Sequence, residues 1–91
     1  MPLFLLEYRY ADQERRAAAR SDHLAYMQRL HDEGKVLKAG PVGDGSGAVV
    51  LFSVEDEAEA RAVVRDDPYT AAEVSEDVVL RPWTVVIPAA R

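Results

Sequence analysis

Four apolar runs along the chain are separated by two stretches rich in charged and helix-forming residues. Residues 3–10, from Leu3 to Tyr10, are aliphatic and aromatic and predict a strand. Over residues 13–33 the composition turns to Ala, Arg, Glu, Leu and Met, good helix formers, with Asp12 placed to cap the start. Leu24, Met27 and Leu30 form an apolar stripe at helical spacing, and Gly34 ends it. Residues 36–39 predict a second short strand. The glycine-rich run 40–47 predicts a loop joining two antiparallel strands. A third strand follows at 48–54. Residues 55–65 predict a helix, acidic at its start and basic at its end as the helix dipole favours. Asp67-Pro68 predicts a short extra turn, and 78–87 a last strand with Pro82 at an edge or bulge.

The order β-α-β-β-α-β predicts one domain over residues 1–91. Its class is α+β: a ferredoxin-like antiparallel sheet with two helices on one face. In the third strand Val49 and Leu51 point to one face, and Val50, Phe52 and Val54 to the other. The last strand divides likewise, with Val79, Trp83, Val85 and Ile87 against Val78, Leu80 and Val86. A sheet with helices on one side and water on the other should alternate apolar with polar. Here both faces are apolar, and two helices cover only one. The expectation is a homodimer whose sheets pack face to face, burying Val50, Phe52 and their neighbours.

Composition adds limits. A chain of 91 residues buries only about 60–65% of its unfolded surface, so a lone copy is marginally stable. Eleven basic against sixteen acidic side chains give a net charge of −5, which opposes a nucleic-acid partner. The absence of cysteine excludes disulfides, thiol catalysis and thiolate metal sites, and fits a reducing cytoplasm. The apolar start meets Glu7 at once, too early for a signal peptide, and no run approaches membrane-span length. These features predict a soluble cytoplasmic protein without membrane contact.

Chemistry concentrates on few residues. His23 has Arg20, Tyr26, Met27 and Leu30 as its helical neighbours, which sets it at the border of the buried stripe. Its commoner role would be a structural hydrogen bond; its functional role would be acid–base chemistry. Asp67 before Pro68 is a natural helix cap. If it also reaches His23, the carboxylate orients the imidazole and favours its charged form. Arg16 and Arg20 share a face with His23 and form either solvated pairs with Glu14 or Asp22, or a holder for a carboxylate or enolate. The run Gly43-Asp44-Gly45-Ser46-Gly47 lacks the following helix that a phosphate loop needs. His23 and His31 lie eight residues apart, roughly 12 Å along a helix, too far to share one ion. No metal or organic cofactor is expected, and no serine has a nucleophile context. Tyr8, Tyr26, Tyr69 and Trp83 are either core or the wall of a pocket for a ring.

Arg20-x-x-His23-Leu24, Gly34-x-x-Leu37-x-Ala39-Gly40-Pro41, Asp67-Pro68-Tyr69 and Pro82-Trp83 together resemble the YCII-like (YciI) family over residues 3–86. The resemblance implies a dimeric α+β barrel. It also implies an active site on a histidine and an aspartate, which fall on His23 and Asp67, with Arg20 and Gly40 at further motif positions. Ala71-Ala72-Glu73-Val74 departs from the Ala-Gly-Leu-like stretch common after the Asp-Pro-aromatic motif, which changes the adjoining pocket wall. The implied chemistry is lyase- or isomerase-like, on small cyclic molecules. The expected function is a small-molecule enzyme with a His23–Asp67 acid–base pair and with Arg20, Gly40 and Tyr69 binding substrate. The alternative is a non-catalytic module that binds an anionic metabolite.

Overall fold

The computed structural model of the chain describes residues 1–89. The elements are β1 (Leu3–Tyr10), α1 (Gln13–Asp32), β2 (Val36–Val42), β3 (Gly47–Ser53), α2 (Glu57–Arg65), α3 (Pro68–Ala71) and β4 (Ser75–Pro82). The four strands form one antiparallel sheet in the order β2-β3-β1-β4. This is the ferredoxin-like α+β layout that the sequence predicts. No helix among the described residues is long and apolar enough to cross a membrane.

Local chemistry sets the boundaries. The Asp12 carboxylate accepts the backbone N–H groups of Glu14 and Arg15, which opens α1. Gly34, at φ +81°, closes it in a conformation that side chains disfavour. Two strands, β2 and β4, depart most from the sequence prediction. β2 runs past Ala39 to Val42, because Gly40, Pro41 and Val42 pair with Val49, Ala48 and Gly47. Pro41 is tolerated since β2 is an edge strand. The turn therefore shrinks to residues 43–46. At Gly47 a Cβ would lie 2.2 Å from the Tyr8 carbonyl oxygen, so only glycine lets β3 approach β1 there.

β4 is displaced toward the N-terminus of the predicted strand. Ser75 and Glu76 already pair with Tyr10 and Arg9, and the register shifts between Glu7 and Arg9. Asp77 sits at φ +50° in that irregularity. The bulge interrupts period-2 alternation, which hides the start of the strand in the sequence. The other end stops at Pro82, which has no N–H to donate; the Trp83 N–H gives a last bond to the Leu3 carbonyl at 2.9 Å. Val85, Val86 and Ile87 lie outside the ladder.

The core forms between sheet and helices. Phe4, Leu6 and Tyr8 of β1 stand beside Phe52, Val50 and Ala48 of β3, under Met27 and Leu30 of α1, Ala60 and Val63 of α2, and Tyr69 of α3. Phe52 and Val54 are fully buried, and Val50 is 1% exposed. This corrects the expected interface: Val50 and Phe52 lie under this chain's own helices and are not available to a second copy. The opposite face carries Leu5, Val49 and Leu51, half-buried, with Val79 exposed and a Glu7–Arg81 ion pair.

Candidate functional site

The buried stripe of α1 is His23, Met27 and Leu30. Leu24, expected in that stripe, is 46% exposed. His23 thus takes a core position, four residues before Met27 on the same helical face. A buried imidazole needs partners for its nitrogens. Asp67 supplies one: the His23 Nδ1–H donates to Asp67 Oδ1 at 2.8 Å. Both residues are buried, at 7% and 5% exposure.

Asp67 is held by its second role. Its Oδ1 also accepts the Tyr69 backbone N–H at 2.9 Å, capping α3, and Pro68 takes the first helical position. The cap and the histidine contact are made by one oxygen. Tyr69 completes the unit, because its ring stacks on His23 with centroids 3.7 Å apart and planes 2° from parallel. The tripeptide Asp67-Pro68-Tyr69 therefore fixes both the tautomer and the plane of the imidazole. Nε2 is the ring nitrogen left over, and it makes no side-chain hydrogen bond among the described residues.

His23 and Tyr69 belong to the wall of a cavity of about 390 Å³ between α1, the inner sheet face and the edge of β2. Tyr8 and Tyr10 form the adjoining wall, edge-on to each other at 5.8 Å. Burial pushes the Tyr8 phenol well above its ordinary value, helped by the nearby Tyr10, Asp67 and Tyr69. Tyr8 is therefore a hydrogen-bond donor throughout the neutral range. The Tyr10 phenol is also raised, first by burial and against the opposing charge of Arg16. The charged wall residues are Arg16, Arg20 and Lys38; among the described residues no carboxylate lines the cavity, since Asp67 stands behind His23. Among the described residues no group of three or more His, Asp and Glu side chains is placed to hold a metal ion.

Of the residues named from sequence, His23, Asp67 and Tyr69 come into direct contact. Arg20 reaches the wall from an exposed position on α1, and Gly40 contributes from edge strand β2. Tyr26 does not take part: its hydroxyl donates to the Val63 carbonyl at 2.7 Å, tying α1 to α2. Trp83 is 45% exposed beyond β4. Two ring-bearing wall residues escaped the sequence argument, as did Gln28 and Lys38. Tyr10 was signalled by its place two residues from Tyr8, on the same sheet face. His31 was set aside for its distance from His23, yet both line one cavity; its Nδ1–H donates to the Val36 carbonyl at 2.7 Å.

The family model of the YCII-related domain matches residues 1–84. The chain belongs to the YCII family. Protein YciI of Escherichia coli is 37% identical over an 83-residue alignment covering 80% of this chain and 85% of that protein. A Haemophilus influenzae protein is 32% identical with the same coverage. Among solved structures, the 5-chloro-2-hydroxyhydroquinone dehydrochlorinase of Burkholderia phenoliruptrix, in complex with 2,5-dihydroxybenzoquinone, superposes with a TM-score of 0.80. That pair shares 23% identity over 97% of this chain and 99% of the other. The Mycobacterium tuberculosis protein Rv0793 superposes at 0.60 with 12% identity, covering 94% of this chain and 96% of its own. Both likenesses are of fold. His23 and Asp67, the two residues singled out by the sequence resemblance, are joined at 2.8 Å.

Proposed function

We propose that this protein is a cofactor-independent small-molecule enzyme in which His23, oriented by Asp67, moves a proton in a lyase- or isomerase-like reaction. The observation that carries this reading is the buried 2.8 Å His23–Asp67 bond in the wall of a cavity. With Nδ1–H engaged, Nε2 can take a proton from a bound molecule, and Asp67 stabilises the imidazolium that results. Arg20, on the same wall, stabilises negative charge that develops on the substrate. Gly40 and Tyr69 shape the pocket. The dehydrochlorinase of the same fold, whose complex holds a quinone, supports a small cyclic substrate.

A plain anion-binding module is the competing class. A carboxylate behind the histidine counts against it, because it would oppose anion capture without serving it. A metabolite library screened by thermal shift finds the ligand, since binding stabilises the fold as RT ln(1 + [L]/Kd). The expected result is a ligand converted by wild type and left intact by His23→Gln. A ligand that binds and is returned unchanged by wild type refutes the enzyme.

Assembly belongs to the same proposal. Leu5, Val49 and Leu51 on the open sheet face, with Val79 beside them, are covered by the same face of a second copy, giving the homodimeric α+β barrel. The cysteine-free chain fits a cytoplasmic setting.

A further inference from the structure

Arg16 is the charged residue of the cavity with the least satisfied surroundings. Its Nε is buried and has no hydrogen-bond partner. Its Nη1 donates to the Gln13 side-chain oxygen at 3.2 Å. The guanidinium lies over the Tyr10 ring, with its central carbon 4.0 Å from the ring centroid. Neither Arg16 nor Arg20 forms an ion pair among the described residues, although the chain has sixteen acidic side chains. Among the described residues no Asp or Glu side chain lines this wall. A charged donor left unpaired in a buried place is costly, and a ligand oxygen would remove the cost.

The pattern of free donors narrows the ligand. Gln13 takes one N–H of Nη1 and leaves Nε–H without a partner; an Nη2–H lies beside Nε–H on the same edge. Two parallel donors on one edge match the two oxygens of a carboxylate. Tyr10 lies against the guanidinium and restricts its movement. The Tyr8, Tyr69 and His23 rings complete a set of aromatic walls suited to a planar body.

We propose that Arg16, held against Tyr10, is the carboxylate receptor of the cavity, and that the ligand class is a planar, ring-bearing carboxylic acid. This deepens the proposed enzyme by naming its substrate class, and it rests on that reading only for the cavity they share. Arg20, further out and exposed, acts at the mouth. Occupation of the Arg16 edge leaves the His23 Nε2 free to meet the ring or its substituent.

Benzoate, benzamide and inorganic phosphate serve as probes for the full-length protein, with binding followed by NMR. Benzoate is expected to bind in the millimolar range or tighter and to shift the Arg16 Nε–H resonance. Benzamide, equal in shape and uncharged, is expected to bind at least about tenfold more weakly. Arg16→Gln should abolish that preference, whereas Arg20→Gln should weaken benzoate less than Arg16→Gln does. Absence of turnover by the wild type leaves this proposal standing, because it rests on binding alone. Equal binding of benzoate and benzamide, phosphate binding as tight as benzoate, or an Arg16 Nε–H signal unmoved by saturating benzoate would each overturn it.

Discussion

Leu51 and Phe52 are consecutive residues of β3 and meet opposite fates. Phe52 is wholly buried under the helices, while Leu51 faces outward and is half-buried on the open side of the sheet. Both are large and apolar. The difference is what covers them: the helices lie over the face that carries Phe52, and no helix among the described residues lies over Leu51. Every element of the cavity hangs from the covered face, because Tyr8, Tyr10, Ala48 and Val50 point the same way as Phe52. The covered face carries the cavity, and the open face carries half-buried apolar side chains, which the proposed dimer would cover.

The largest expected effect tests that division directly. Phe52→Ala removes a ring from a closed core and should cost about 3–5 kcal/mol in urea unfolding. Leu51→Ala, measured on a lone chain, should cost less than about 1 kcal/mol, as surface changes do. Leu51→Glu separates the two faces further. It should leave the fold intact and reduce the particle mass seen by light scattering to that of one 10.1 kDa chain. A wild-type protein already at that mass removes the dimer, and equal costs for the two alanine variants remove the distinction between the faces.

The order of elements was readable, because each has a local cause: Asp12 and Asp67 cap, Gly34 stops, and the apolar runs alternate. Which face the helices cover was also written in the chain, though not in β3, where both faces are apolar. β1 holds the answer, since Phe4, Leu6, Tyr8 and Tyr10 alternate with Leu3, Leu5, Glu7 and Arg9. Only the second set ends in charges, and it pairs with Leu51 and Val49. Of the candidate site, His23 and Asp67 were legible as residues to watch, and the structure brings them into contact. Arg16 as an unpaired donor was not, because satisfaction of a guanidinium depends on which side chains surround it in space. The start of β4 was hidden by the bulge opposite Glu7 and Arg9.

The next effect concerns two carboxylates that hold the cover in place. Asp56 caps α2 by accepting the Glu59 N–H at 2.9 Å, in an exposed position. Asp67 caps α3 and also holds His23. Asp56→Ala should cost about 1 kcal/mol, the value of a cap. Asp67→Ala loses a cap and also strands a buried imidazole N–H, so about 2–4 kcal/mol is expected. Equal losses in parallel denaturation curves would reduce Asp67 to a cap alone. Asp67→Asn can keep the cap and much of the stability, yet it no longer stabilises an imidazolium, so turnover should fall by about 10²-fold or more while folding is kept.

The smallest effects are electrostatic and belong to the exposed rim of the cover. Hydrogen bonds to backbone N–H groups hold the Asp12 carboxyl below its ordinary value, chiefly that of Arg15. The Glu59 carboxyl is likewise lowered, first by the Glu55 N–H. The folded state therefore binds these protons less readily than the unfolded chain does. Their stabilisation is present above the unfolded values near pH 4 and is lost as pH falls through the lower folded values. Tyr8, raised by burial, has the opposite sign: its contribution is complete below about pH 10 and is lost as pH rises beyond it. The thermal midpoint should thus decline at both extremes. Asp12→Asn isolates the acid limb, since asparagine caps a helix about as well as aspartate but does not titrate. That variant should unfold near the wild-type temperature at neutral pH and show a shallower decline between about pH 5 and 2. An unchanged acid slope would mean that the Asp12 carboxylate holds α1 as a hydrogen-bond acceptor only, with no contribution from its charge.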